Sequence, residues 1–279
     1  MNEPESESRP SGLPAALGAY VIWGFLPLYL LLVKVVPPFE FVAWRIVWTL
    51  PICLLIVWVR RQGPQLRAAI ADSKSLRWLL LSASLIAVNW VVYVWAIQNN
   101  NVYAASLGYY INPLVNVLLG TLLLGEKLNR AQWAAVGLAG LGVALLAEGA
   151  LTTLWISLTL AFSFGVYGMV RKQVPVGSLP GLTIESGLLL IPSIAVAGWY
   201  AVQSGSSFAV SPQLSGAIVL GGVLTAIPLL MFAVAAKRMP YSTLGFIQFL
   251  APSIVWAAAA LFGWDMWRRS RAPKPVGPV

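Results

Sequence analysis

The sequence predicts an all-α integral membrane protein with nine spanning helices, and three observations carry that expectation. Hydrophobic residues make up 59% of the 279, and charged residues only 10%, against the roughly 25% of an ordinary soluble domain. Several apolar runs extend for about 20 residues, the length that spans a hydrocarbon core at 1.5 Å per helical residue. Lysine and arginine also alternate from loop to loop and collect on one side of the expected membrane.

The N-terminal MNEPESESRPSG (residues 1–12) is polar and acidic, unlike the basic start of a secretory signal peptide, and reads as a disordered cytoplasmic tail. The apolar runs then place helices at Leu13–Val33, Phe39–Val59, Trp78–Ile97, Tyr103–Leu124 and Ala131–Ala147. Four more follow at Leu154–Val170, Gly181–Val202, Leu214–Ala236 and Thr243–Gly263. The longest connection, Arg60–Arg77, is polar and has room for a surface helix. Trp58, Trp78, Trp133, Trp155 and Trp199 fall near helix ends, where an amphipathic ring suits the headgroup region.

Loops on the N-terminal side hold Arg60, Arg61, Arg67, Lys74, Arg77, Lys127, Arg130, Arg171, Lys172, Lys237 and Arg238, and the opposite loops hold only Lys34. Basic loops stay in the cytoplasm, so the N-terminus is expected inside. This placement also assigns the net charge of +9 to topology rather than to nucleic acid. The C-terminal residues 264–279 break the pattern, because a ninth crossing would carry Arg268, Arg269, Arg271 and Lys274 outside. A shortened or alternative end accounts for them.

The second half echoes the first. A shift of 141 superposes Pro51 on Pro192 and Trp58 on Trp199, a shift of 139 superposes Pro113 on Pro252, and LGYYINP returns loosely as LGFIQFLAP. A repeat of five helices is odd-numbered, so its second copy enters the membrane from the other side. The expected repeats are 13–147 and 151–263, followed by the basic tail 264–279. Inverted repeats are the architecture of many secondary transporters, with the substrate site near the midplane between the halves.

Polar side chains in a bilayer are costly and face a partner or a cavity. Ala105, Tyr109, Asn112 and Asn116 share one face of the fourth span, and Gly245, Gln248 and Pro252 share one face of the ninth. Pro113 and Pro252 lack a backbone donor, which frees the carbonyls of Tyr109 and Gln248. With Asn89 in the third span, these residues are read as walls of one cavity framed by the third, fourth, eighth and ninth spans. The alternative is that the amides simply bond helix to helix.

Two charges lie within spans. Arg45 is roughly 9 Å and Glu185 roughly 6 Å below their membrane edges at 1.5 Å per residue, and the inverted topology puts them near opposite edges. Glu185 is therefore expected to meet Arg171 or Lys172 at the inner mouth, and Arg45 to meet Glu40 or Glu148 at the outer one. Such pairs would serve as gates that break alternately, with Glu185 also the candidate for proton coupling. The competing reading is snorkelling of both side chains to the headgroups. Gly140 with Ala144, Ala217 with Gly221, and Gly222 with Ala226 have the spacing for close helix approach, within the fold or at a homodimer face. Glu126 reads as a solvated or locally paired surface charge.

Composition also excludes chemistry. Cys53 is the single cysteine and there is no histidine, so an intramolecular disulfide, a Ser-His-Asp triad, an HExxH zinc site and imidazole-held haem are all ruled out. No nucleotide-binding P-loop, nucleophile elbow or paired aspartates occur. No cofactor or metal is expected, and the partners are a small-molecule substrate and the lipid bilayer. The rival readings are an inactive membrane partner and, behind it, an intramembrane enzyme.

The segments AYVIWG, ASLGYYINPLVNVLLG, LGEKL, LAFSFGVYGMVRK, IPLLMFAVAAKR and STLGFIQFLAP resemble the RarD group of EamA permeases in the drug/metabolite transporter superfamily, over about Leu13 to Gly263. The resemblance implies ten helices in two inverted EamA repeats, the fifth and tenth peripheral, and both termini cytoplasmic. It further implies a multi-pass protein of the bacterial inner membrane, in a group that carries the label chloramphenicol-sensitive protein. Two departures stand out. The family's His-Arg in the second helix is Trp44-Arg45 here, and its Gly-Glu and tenth helix after the ninth are replaced by Trp264 and the basic tail. The second repeat is accordingly expected to be incomplete.

Overall fold

The computed structural model describes residues 11–254, which are helical with no β-strand among them. Helix α1 spans Leu13–Leu30 and ends in a 3₁₀ turn at Leu31–Val33. Helix α2, Pro38–Val59, starts with a proline at its first position, where the missing donor costs nothing. The long polar connection folds into α3, Gly63–Ala71. Helix α4, Ser73–Gln98, is capped by Asp72, whose carboxylate accepts the amides of Lys74 at 3.1 Å and Ser75 at 3.2 Å. Helix α5 covers Val102–Leu122. Helix α6, Arg130–Ala147, opens with a capping box in which Asn129 and Gln132 bond each other's backbone amides.

The second half contains α7 (Leu154–Gln173), α8 (Ser178–Gln203), α9 (Pro212–Arg238, capped by Ser211) and α10 (Tyr241–Gln248). Eight of these segments, beginning with Leu13–Val33 and ending with Pro212–Arg238, are long and apolar enough to cross a membrane. The ninth span, expected over Thr243–Gly263, is helical from Tyr241 with a turn at Phe249 and is described as far as Ile254. The two tails and the replacement of a tenth helix lie outside the described residues.

The ends of the helices define a basic face, carrying α3 and the starts of α4, α8 and α10, and an opposite face. The packing is paired as inverted repeats require. Helix α1 runs against α9 as α7 runs against α4, while α2 meets its counterpart α8, and α5 meets its counterpart α10. Two pairs of equivalents differ: α2 lies closely along α9 whereas α4 touches α8 over a shorter stretch, and α5 lies closely along α7 whereas α1 meets α10 only briefly among the described residues.

Two of the apolar clusters join the halves, one toward each face. Tyr20, Tyr167, Phe232 and Tyr241 are buried with Ala16 and Ala236 toward the basic face, and Tyr29, Phe41 and Ile218 are buried toward the opposite face. Helix α6 has no buried residue and packs against α5, the peripheral place expected of a fifth helix. Of the small-residue pairs, Gly221 and Gly222 pack within the fold, against Tyr29, Phe41, Arg45 and Trp48. Gly140 on α6 faces open space.

Candidate functional site

A narrow cavity of about 10 Å³ lies between the two sets of helices, room for about one water molecule. Helix α2 contributes Ile46 and Thr49, and α4 contributes Ile86 and Trp90. Helix α8 adds Leu182, Glu185, Ser186 and Leu189, and α9 adds Thr225 and Leu229. Tyr167 comes from α7. The cavity thus extends from the basic-face half of α8 to the middle of α2 and α9.

At the basic-face end, Glu185 stands opposite Arg171, with Arg171 Nε 3.5 Å from Glu185 Oε1 and both side chains buried. Ser82 of α4 donates to Glu185 Oε1, and Arg171 Nη2 donates to the carbonyl of Ser178 at 2.8 Å. The guanidinium lies across Gly181, where any side chain would collide with it. Snorkelling is therefore overturned for Glu185, which is only 2% exposed. Among the described residues Glu185 Oε2 and Arg171 Nη1 have no hydrogen-bond partner, leaving unspent bonding capacity beside the cavity.

At the other end, Arg45 Nε donates to Thr225 Oγ1 at 2.8 Å, and Thr225 in turn donates to the carbonyl of Gly221 at 2.7 Å. The guanidinium carbon stands 5.5 Å from the centre of the Phe41 ring and 5.7 Å from that of Trp90, within cation–π range. The expected pairing of Arg45 with Glu40 or Glu148 does not form. Glu40 is five residues from Arg45 on the same helix, about 140° around its axis at 3.6 residues per turn. Its carboxylate instead accepts Trp44 Nε1 at 3.2 Å, Ser207 N at 2.8 Å and Ser207 Oγ at 2.6 Å. Glu148 is exposed beyond the end of α6.

The polar residues read as walls of one cavity separate into three places, and α5 and α10 contribute none of the residues lining the cavity above. Asn112, Asn116 and Gln248 do come together. Asn116 Nδ2 donates to Gln248 Oε1 at 2.6 Å, Gln248 Nε2 donates to Asn112 Oδ1, and Asn112 Nδ2 donates to the carbonyl of Ala161 at 2.6 Å. This relay ties α5, α10 and α7 because the two amide-bearing helices cross face to face, so the amides meet each other rather than a void. Asn116 Oδ1 is left buried without a partner. Asn89 joins α4 to α7 by donating to Leu160 O at 2.9 Å and Ser163 Oγ at 3.0 Å. Tyr109 is 41% exposed, with its ring 5.8 Å from that of Tyr93 in an edge-on arrangement.

Thr49, Thr225, Trp90 and Ser186 line the cavity without having been singled out by the sequence. The available signal was a pair of threonines deep inside apolar runs. Each turns its hydroxyl back to the carbonyl four residues earlier, Thr49 to Arg45 and Thr225 to Gly221, both at 2.7 Å.

Charges at the basic face hold helix ends. Glu126 accepts the amides of Tyr241 at 2.6 Å and Ser242 at 2.8 Å and the Ser242 hydroxyl at 2.7 Å, which caps α10 from the loop after α5. Partial burial pushes its pKa up. The bonds from Ser242 and Tyr241, together with nearby Lys172, outweigh that and hold the carboxyl below its ordinary value. Lys172 donates to the carbonyls of Ala236 and Met239 at the end of α9, and Lys237 to Val174 just past α7. The two helices cap each other with cations where their dipoles are negative.

Comparison with known proteins accords with this architecture. Residues 10–147 match the EamA-like transporter family. Protein RarD of Streptomyces exfoliatus is 39% identical, covering 96% of this chain and 92% of that protein. Protein RarD of Escherichia coli (strain K12) is 38% identical, over 92% and 88%. The chloramphenicol-sensitive protein RarD of Pseudomonas aeruginosa is 31% identical, over 92% and 87%. One crystal structure superposes with a TM-score of 0.71 at 22% identity, covering 97% of this chain and 92% of that one, a likeness of fold. With these relatives matched along nearly their whole length and the paired helical packing on the page, the chain belongs to the EamA-like transporter family as a RarD-type permease.

Proposed function

We propose that the chain is a secondary transporter that moves a small metabolite or drug-like solute, chemically unchanged, across the bacterial inner membrane by alternating access. The repeats 13–147 and 151–263 are the moving halves, and the N-terminus and basic face lie in the cytoplasm. The observation that carries this reading is the cavity between α2, α4, α8 and α9, with a buried ion pair at one end and a clamped arginine at the other. The unequal equivalents, α2 on α9 and α4 on α8, supply the asymmetry that an alternating cycle exchanges.

In this cycle Arg171 and Glu185 form the cytoplasmic gate, with Glu185 able to take up a proton when the pair separates. Arg45 with Thr225 forms the clamp on the outer side. Asn112, Asn116 and Gln248 hold α5 to α10, Asn89 holds α4 to α7, and Tyr109 lines the outer approach.

The test is counterflow in proteoliposomes preloaded with candidate solutes. Saturable uptake above protein-free liposomes is expected for at least one solute, with a loss of tenfold or more in Glu185→Gln and in Arg171→Gln. Uptake indistinguishable from empty liposomes across the panel would overturn transport. Unchanged flux in folded Arg45→Ala and Glu185→Ala would overturn the gating roles.

A further inference from the structure

Arg45 is a cation placed deep in an apolar helix without an anion to match it. Arg171–Glu185 is the one ion pair among the described residues, so Arg45 has no carboxylate partner there. A guanidinium has five N–H donors in a planar fork. The single hydrogen bond that Arg45 makes among the described residues spends one of them, Nε to Thr225. Among the described residues the four donors on its terminal nitrogens are unspent, and those nitrogens keep some accessible surface. A cation in such a place is costly unless something completes it.

What surrounds the fork is aromatic. Phe41 and Trp90 lie beside it, and Tyr29, Tyr93 and Tyr109 are within electrostatic reach. Trp90 and the Nε acceptor Thr225 both line the cavity, so the guanidinium stands next to the cavity's end. The Nε bond fixes the plane of the group, which presents the two remaining nitrogens as a preorganised pair. Two parallel N–H donors match the two oxygens of a carboxylate. One cation without a second nearby among the described residues suits a single negative charge, and flat apolar walls suit a ring or short hydrocarbon body.

We infer that Arg45 is the anion-binding residue of the substrate site, and that the substrate class is small organic monocarboxylates with a flat or apolar body. This rests on the transport reading above. The carboxylate bridges the terminal nitrogens of Arg45 while the body packs against Trp90, in the cavity as it widens from its present water-sized volume when the halves move. At the other end Glu185, and not Arg171, lines the cavity, so a carboxylate there disfavours the ligand's own and orients the ligand toward Arg45.

Equilibrium dialysis of radiolabelled benzoate, phenylacetate and hexanoate against detergent-purified protein tests this, each beside its primary amide, which has the same shape and no charge. At least one acid is expected to bind at least tenfold more tightly than its amide. Arg45→Gln should abolish that preference, and Arg45→Lys, which keeps the charge but loses the fork, should lower it severalfold. The inference is overturned if no acid is preferred to its amide in the wild type. It is equally overturned if the preference survives undiminished in both variants, or if phosphatidylglycerol competes for the site where the acids show no preference over their amides. Binding is read without flux, so the two proposals fail separately. Selective binding without counterflow sinks transport alone, and counterflow of solutes without carboxylate selectivity sinks this inference alone.

Discussion

The side chains of Arg171 and Glu185 show what a buried charge requires. Each is taken out of water, and each is tolerable because the other stands 3.5 Å away and because Ser82 and the carbonyl of Ser178 take further bonds. Removing one partner leaves the other uncompensated, at a cost of about 3 kcal/mol or more, while removing both costs far less than the sum. Arg171→Met and Glu185→Leu should therefore each lower unfolding stability in detergent, with the double variant partly restored; strictly additive losses would show that the pair is not coupled. Glu126 makes a second prediction, with a pH sign. Its folded pKa is lowered from 4.5, so its stabilisation is complete above that ordinary value and is lost as pH falls through the lower folded one. The gap in thermal midpoint between wild type and Glu126→Gln should hold constant from pH 7 to about 4.5 and close below it; a gap independent of pH would refute the cap. The Arg171–Glu185 pairing was legible in the sequence, because inverted topology put both groups at one membrane edge. The expected Arg45–Glu40 pairing was misread because a shared membrane edge was taken for contact, whereas five residues turn the two side chains apart around the helix. The role of Glu126 was half visible, since a sequence shows a charge after a helix but not the distant helix start it caps.

Among the elements, α5 and α10 show where periodicity stops informing. The spacing of Asn112 and Asn116 gives a shared face, and so does that of Gly245 and Gln248, but spacing does not say what lies opposite. The two faces oppose each other, and Gly245 lets the backbones close to a distance at which an added Cβ would stand 2.8 Å from the carbonyl oxygen of Pro113. Gly140 belongs to an equally plausible small-residue pair in the sequence, yet a Cβ there meets nothing within 4 Å. The same substitution should consequently have opposite signs. Gly245→Ala should destabilise by separating α5 from α10, while Gly140→Ala should be neutral or stabilising, by up to about 1 kcal/mol from helix propensity. Thermal unfolding of the two variants side by side decides it, and equal shifts would mean that the α5–α10 crossing is not the close contact described. The helices themselves were legible to within a few residues, since apolar runs mark the spans, but α4 starts five residues before the expected Trp78 and α7 runs three past Val170, each taking charged residues into the helix. The cavity was not. Thr49, Trp90 and Thr225 look like ordinary packing residues until α2, α4 and α9 are seen to converge on one space.

For the molecule as a whole, the proposal turns on which end of the cavity is held shut. Toward the opposite face, α1 and α2 are fastened to α9 and the loop before it by several independent contacts. Tyr29 donates to the carbonyl of Ala217 at 2.7 Å, Glu40 accepts from Ser206 and Ser207, and the rings of Trp44 and Phe208 stack at 4.7 Å. Alternating access requires all of these to separate once per cycle, because a solute that enters from one side must leave by the other. The single native cysteine, buried Cys53, makes this testable with introduced thiols. In a Cys53→Ser background that retains counterflow, Trp44→Cys with Phe208→Cys should be joined by a short bifunctional thiosulfonate reagent. Joining them should abolish counterflow, and reduction should restore it. Either cysteine alone, treated with the same reagent, should retain most of its activity, which separates the tether from simple modification of the site. A tethered protein that still transports at the untethered rate would show that this end does not open. The cavity would then have to communicate with both sides by another route, and the inverted packing of the two halves would be a structural inheritance without the rocking motion proposed for it.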